Sequence, residues 1–317
     1  MQPFSHSASA QKHFVQPLRI LVATDLDDQD SLIPHIIAQG RVSGALVTIV
    51  HAIEPDQCTA CEWGVCPSTT DKAARQDEGE RLAAMVKKIE AQGVSCTAVL
   101  KDGFAADVVQ EQIDATGATR LIMASHGRGK LGQFVLGSVA NQLIGRIGIP
   151  IFLAGPHSEP TESHCSPRKI LHPVSMKGDY LQSAQFAVQL GALYGAEVTM
   201  LHVVRQELQR SLHTGLALSL ADRLFTEFAS NRCSPGLPIK ISVAFGNPVD
   251  QIRREAALLN ADWIVLGAEE GFAQWPLMES TAYRLLAMAD CPVLAIRHQP
   301  QLIQEHGAEV AYLAGAF

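Results

Sequence analysis

No apolar run in the chain reaches the ~18 residues that a membrane-spanning helix needs, which excludes a helical span of a bilayer. Positive charge is not in excess either: 25 Lys and Arg stand against 32 Asp and Glu, a net charge of −7. Such a chain has no electrostatic reason to seek nucleic acid or an anionic lipid surface, so neither is expected as a partner. The segment from Met1 to Ala10 has no basic start followed by an apolar stretch, so no secretory signal is read there. Seven cysteines is an odd count in a chain of 317 residues. It fits reduced thiols in the cytoplasm better than a disulfide framework.

What the chain does have is one pattern written twice. Arg19-Ile-Leu-Val-Ala-Thr-Asp25 returns as Lys169-Ile-Leu-His-Pro-Val-Ser175, and Val47-Thr-Ile-Val-His51 returns as Val198-Thr-Met-Leu-His202. The stretch Arg120–Ala124 returns near Asp262–Gly267, and Ile149-Pro-Ile-Phe-Leu153 returns as Cys291-Pro-Val-Leu-Ala295. A repeat this long is too large for a solenoid unit and reads as a duplicated domain. The length agrees, since about 150 residues suffice for an independent core. The expected division is a flexible leader over 1–17, a first domain over 18–155, a linker over 156–168, a second domain over 169–297 and a tail over 298–317.

Within each copy, apolar β-branched runs alternate with amphipathic stretches. In the first copy strands are expected over Leu18–Thr24, Ala45–Ala52, Ser95–Leu100, Arg120–Ala124 and Pro150–Ala154. Helices are expected over 31–43 (with Pro34 in the first turn or shortening it), 71–92, Asp107–Thr116 and Ser138–Arg146. The second copy repeats the order, with strands over Lys169–Val174, Glu197–Val204, Ile239–Ala244, Trp263–Gly267 and Pro292–Ile296. Its helices are expected over Leu181–Tyr194, Leu212–Ala229, Val249–Leu259 and Ser280–Ala289. Strand–helix alternation predicts an α/β fold with parallel sheets and right-handed crossovers.

The chemistry-bearing segment of the first copy is Ala124-Ser-His-Gly127, then nine residues, then Gly137-Ser138. Gly127 permits close backbone approach, the intervening loop carries Arg128 and Lys130, and Ser138 opens a helix. A helix start offers free N–H groups and the positive end of the dipole. Strand, glycine loop and helix start together make a phosphate cradle, expected at the carboxyl edge of the sheet near the switch between strands one and four.

On these residues the chain resembles a tandem universal stress protein. That family carries Gly-x2-Gly-x9-Gly-Ser/Thr after strand four and an Asp after strand one, and the likeness runs from about Leu18 to Arg297. It implies two Rossmann-like domains, similar to the adenine nucleotide α-hydrolase fold, each with five parallel strands in the order 3-2-1-4-5. It also implies ATP or another adenine nucleotide, with or without Mg, as ligand. Carried over position by position, Thr24 and Asp25 meet the adenosine part, Ala52 gives a backbone contact to adenine, and Met123 lies beside the nucleotide. Gly127, Gly137, Ser138 and Val139 form the ribose and phosphate loop, and Ala124, His126 and Arg128 complete the expected binding site. Ala124 stands where the motif has its first glycine; if that position needs positive φ, a methyl there costs about 1 kcal/mol. Single-domain relatives form dimers, so the two copies are expected to pair as an internal pseudo-dimer along strand five, with a homodimer of whole chains as a further assembly. The function this implies is a signalling or protective module in the stress response. Walker Lys-Ser/Thr, paired carboxylates beside the loop, His-x-Gly-His and Ser-Gly-Gly-x-x-Ser are all missing, so any ATPase is expected to be slow and no catalytic residue is assigned.

The second copy departs from the motif. Ser175 replaces the Asp, Glu270 takes the place of the second glycine and would repel phosphate, and Ser280-Thr281 replaces Gly-Ser. Bulky Phe272, Trp275, Pro276 and Leu277 occupy the loop between. Elsewhere Cys58, Cys61 and Cys66 lie within nine residues of one another. They can serve as zinc ligands with His51, His164 or Cys165 as a fourth, as a redox pair, or as plain loop thiols, which makes a thiol or metal sensor, or a ligand-free scaffold, the alternative function. Cys96 and Cys291 are expected in the core. His51 and His202 recur at equal places, pointing to a structural role at the end of strand two.

Overall fold

The computed structural model describes residues 18–54, 72–125, 136–155, 160–175, 180–205, 239–268 and 281–297, together with 219, 222 and 226. Ten strands form one sheet. They are β1 (Arg19–Ala23), β2 (Leu46–Ile53), β3 (Cys96–Asp102), β4 (Arg120–Ala124), β5 (Ile151–Ala154), β6 (Lys169–Val174), β7 (Glu197–Val204), β8 (Ile239–Phe245), β9 (Trp263–Ala268) and β10 (Val293–Arg297). The spatial order is β3-β2-β1-β4-β5-β10-β9-β6-β7-β8. Each half therefore shows the order 3-2-1-4-5, and pairing within each half is parallel.

The two halves join at β5 and β10, which pair antiparallel through Leu153↔Val293, Phe152↔Leu294 and Ile151↔Ala295. Under the repeat Phe152 and Leu294 are equivalent positions, so a pseudo-twofold axis passes through that pair. The expected strand-five seam is the one present, and it buries two edges that would otherwise be open to pairing with other chains. Antiparallel joining has a consequence for function. The carboxyl ends of β1–β5 share one sheet edge with the amino ends of β6–β10, so the switch points of the two copies lie on opposite edges.

Eight helices are described: α1 (Gln29–Ser43), α2 (Lys72–Glu90), α3 (Ala105–Thr116), α4 (Ser138–Arg146), α5 (Glu162–Cys165), α6 (Tyr180–Tyr194), α7 (Pro248–Leu259) and α8 (Thr281–Met288). Residues 219, 222 and 226 are also helical, inside the helix expected over Leu212–Ala229. Strand side chains alternate between faces, and the core divides by sheet face rather than by copy. Leu21, Leu121, Met123, Ile151 and Leu153 pack with α3, α4, α7 and α8 on one face. Ile20, Val22, Ile122 and Phe152 pack with α1, α2 and α6 on the other. Each layer runs across the seam without interruption. Fully buried side chains of this size each contribute about 1.5–3 kcal/mol, so the two copies share stabilising contacts.

Two local readings differ from the sequence expectation. Helix α1 begins at Gln29, so Pro34 lies inside it rather than in its first turn. The linker contains α5, capped by Thr161, whose hydroxyl accepts the His164 N–H at 3.2 Å. The prolines and polar residues of this stretch point to a linker, whereas a threonine three residues ahead of the amide it caps is a local signal for a helix start.

Candidate functional site

Thr24 and Asp25 follow β1, at its border with β4, and shape a tight turn. Thr24 Oγ1 accepts the Leu26 N–H at 2.9 Å, and Asp25 Oδ1 accepts the N–H groups of Asp27 and Asp28 at 3.0 and 3.2 Å. These bonds hold Leu26 at φ 69°, a left-handed conformation uncommon outside glycine. Leu26 is itself buried, so its side chain anchors the turn in the core. From β2, His51 Nδ1 donates to the Thr24 carbonyl at 2.8 Å. In the second copy His202 Nδ1 donates to the Val174 carbonyl at the same 2.8 Å. The structural role read from their recurrence is thus what both histidines perform: each ties strand two to the end of strand one and fixes its own tautomer.

Asp28 is a residue that sequence reasoning missed. Its carboxyl accepts a hydrogen bond from the Thr24 hydroxyl. Burial pushes its pKa up from 3.8 to about 7; the Thr24 bond opposes this and the nearby Asp25 charge adds to it. The acid-rich run Asp25-Leu-Asp-Asp28 was visible in the sequence, but which of its carboxyls turns inward depends on the turn geometry.

On β4, Met123 pairs in register with Ala23 and Ala124 with Ala154. Ala124 is not among the residues with positive φ. It has strand geometry, so its methyl carries none of the left-handed cost considered above, and the departure from glycine is compatible with the local backbone. The chain continues through Ser125, whose N–H donates to the Ala154 carbonyl at 2.9 Å and whose carbonyl accepts the Gly137 N–H at 2.8 Å. That last bond places the start of α4 against the end of β4. Gly137 is the N-cap and Ser138 the first helical residue, and among the described residues no side chain caps the helix. Ser138 thus opens the helix, as expected, without capping it. The first intrahelical bond runs from the Asn141 N–H to the Gly137 carbonyl, leaving the amides of Ser138, Val139 and Ala140 without intrahelical acceptors. Ala52, near the end of β2, is half-buried.

The structure thus brings Thr24, Asp25, Met123, Ala124, Gly137, Ser138 and Val139 to one edge of the first half, around the crossover between β1 and β4. His126, Gly127 and Arg128 lie outside the described residues, as do Cys58, Cys61 and Cys66. Among the described residues no group of three or more His, Cys, Asp or Glu could hold a metal ion. Cys96 and Cys291 are buried as expected, and burial pushes each thiol up to about 12. No described helix is long and apolar enough to cross a membrane. In the second copy Ser175 follows β6, Gly267 lies within β9 and Thr281 opens α8, while Glu270 and Ser280 fall outside the described residues.

The Universal stress protein family model matches residues 18–154 and again 167–297. The chain belongs to the universal stress protein family. Two solved structures share the tandem arrangement at fold level. A universal stress protein from Archaeoglobus fulgidus DSM 4304 is 16% identical, covers 90% of this chain and 100% of its own, and superposes with a TM-score of 0.70. A functionally unknown protein from Pseudomonas aeruginosa PAO1 is 15% identical over 89% of this chain and 93% of its own, with a TM-score of 0.61. No curated protein matches the chain. At these identities the likeness speaks for the fold alone.

Proposed function

We propose that the first copy of this universal stress protein binds ATP or another adenine nucleotide at the carboxyl edge of β1 and β4, and that the protein acts as a nucleotide-responsive module rather than as an enzyme of rapid turnover. The observation that carries this reading is the hydrogen bond between Gly137 and the end of β4. It holds the open amides of Ser138, Val139 and Ala140 beside the turn that presents Asp25. A helix start attracts phosphate through those amides and the helix dipole, and a carboxylate two strands' end away suits ribose hydroxyls or the adenine amino group. The residues present fit such a ligand. Bound nucleotide would bring its own charge and, with Mg, a counter-ion; the protein's part is to orient the phosphates on α4 and the nucleoside on the β1 turn. The second copy, with Ser175 and Glu270 at the matching places, is not assigned a nucleotide.

Native mass spectrometry of the purified chain and thermal unfolding in millimolar MgATP test this together. Ligand at a hundredfold excess over Kd stabilises by about 2.7 kcal/mol. Gly127→Glu, which copies the second copy's residue, should abolish both the adduct and the thermal shift. Absence of bound nucleotide together with no shift in MgATP would refute the reading.

A further inference from the structure

Helix α4, which opens the proposed phosphate site, is held at both ends by residues of the second copy. At its start, the Leu136 N–H donates to Tyr283 Oη of α8 at 3.4 Å, in a buried setting. At its end, Arg297 of β10 donates through Nη1 to the Gly145 carbonyl at 2.9 Å. Tyr283 is 5% exposed and shares its core layer with Leu136, Ala140 and Leu143. The first contact occupies the amide immediately before Gly137. The second places a cation on the carbonyl end of the helix, where it complements the dipole.

The Arg297 brace has no counterpart at the equivalent position of the first copy. The strand-five pairing makes Gly155 the equivalent of Arg297, and the matched buried positions of the two helices, Ala140, Leu143 and Ile144 with Ala282, Leu285 and Leu286, make Asn141 the equivalent of Tyr283. Glycine carries no side-chain donor, so the first copy cannot return the Arg297 contact to the second. A contact kept for packing alone would be expected in both directions across a pseudo-twofold seam. The Arg297 contact instead falls on the copy that retains Gly137 and Ser138, at the opposite end of the same helix from the Tyr283 contact.

We infer that the second copy serves as a built-in positioning element for the first: Tyr283 and Arg297 hold α4 so that the turn at Leu136–Gly137 presents the Ser138–Ala140 amides to phosphate. This rests on the nucleotide reading for its ligand but not for its geometry. Tyr283 and Arg297 are positioning residues and touch no ligand themselves. Since the tyrosine contact bears on the phosphate side, its loss should weaken a phosphorylated ligand and spare the unphosphorylated nucleoside.

The test uses the full chain with Tyr283→Phe, which keeps the ring and removes one hydroxyl, and with Arg297→Met. Titrations with MgATP and with adenosine are run beside amide hydrogen exchange over residues 136–141 of the free protein. For Tyr283→Phe, exchange at Leu136 and Gly137 should accelerate, MgATP should bind about three- to tenfold more weakly, the scale of one lost hydrogen bond, and adenosine binding should hold within twofold. Arg297→Met should accelerate exchange at the carboxyl end of α4. Unchanged exchange at Leu136–Gly137 in Tyr283→Phe would overturn the inference whether or not nucleotide binds. Equal weakening of MgATP and adenosine would overturn it too, since that marks a general loss of structure. If the unmodified chain binds neither ligand, the nucleotide reading fails, and the exchange result alone decides whether the second copy positions α4.

Discussion

Replacing Asp28 with Asn probes the turn that carries Asp25, and the structure sets both the sign and the size of the effect. A carboxyl raised from 3.8 to about 7 prefers its protonated form in the folded protein. In the unfolded chain it ionises near 3.8. Between these values the folded state binds the extra proton, so stability falls as pH rises through that window. Below about pH 4 both states are protonated and the cost is absent; above 7 it is fully developed. The ceiling from the shift is about 4 kcal/mol at 1.36 kcal/mol per unit. Asp28 is half-buried rather than sealed, and its N-cap position ahead of α1 favours a negative charge, so a net cost of about 1–3 kcal/mol is expected. Asn keeps an oxygen able to accept the Thr24 hydroxyl and cannot ionise. Asp28→Asn should therefore be close to neutral at pH 4.5 and stabilising by about 1–3 kcal/mol at pH 8, read by urea denaturation across that range. A variant less stable than the parent at pH 8, or a difference that does not change with pH, would refute the argument.

Arg120 is buried at the seam, where its guanidinium donates to Gln39 Oε1 at 2.9 Å and also meets the Tyr194 hydroxyl from the second copy, while its Nε has no partner among the described residues. Removing a buried charge that has only neutral partners costs little if its volume is kept. Arg120→Met should be neutral or stabilising and Arg120→Ala should lose about 2–4 kcal/mol, both by denaturant unfolding; Met and Ala costing the same would contradict this. Phe152 sits on the pseudo-twofold between His35 and Trp263, with ring centroids 5.1 and 4.9 Å away. Phe152→Ala should cost about 3–5 kcal/mol and destabilise both halves together in hydrogen exchange, because each core layer crosses the seam; loss of protection confined to the first half would count against a shared core. His51→Phe removes the bond to the Thr24 carbonyl and should cost about 1–2 kcal/mol, with faster exchange at the β1 turn than in β2 itself; protection in that turn equal to the unmodified chain's would show that the bond does not hold it.

Much of this molecule is legible in the sequence because its strongest signals are local and repeated. Runs such as Ile20-Leu-Val-Ala23 must be buried on both faces, and their recurrence with the same spacing identifies two parallel half-sheets. The paired histidines at 51 and 202 disclosed a structural role in the same way. Other features resisted because they join residues distant in the chain. Leu26 is left-handed only because Thr24, Asp25 and a buried apolar side chain agree on it. Arg120 and Trp263 occupy equivalent sheet positions, beside Ile20 and Ile170, yet one is a cation against Tyr194 and the other an indole donating to the His164 carbonyl at 2.6 Å.

By itself the sequence determined the duplication, the alternation of strands and helices within each half, and the loss of the phosphate motif from the second copy, because periodicity and glycine placement act within a few residues of chain. Only the tertiary structure decided that Ala124 lies in ordinary strand geometry and that Asp28 turns inward. It also decided that the second copy reaches α4 through Tyr283 and Arg297. Those outcomes depend on backbone angles, desolvation and contacts across an antiparallel seam, which exist only once the two halves have closed on each other.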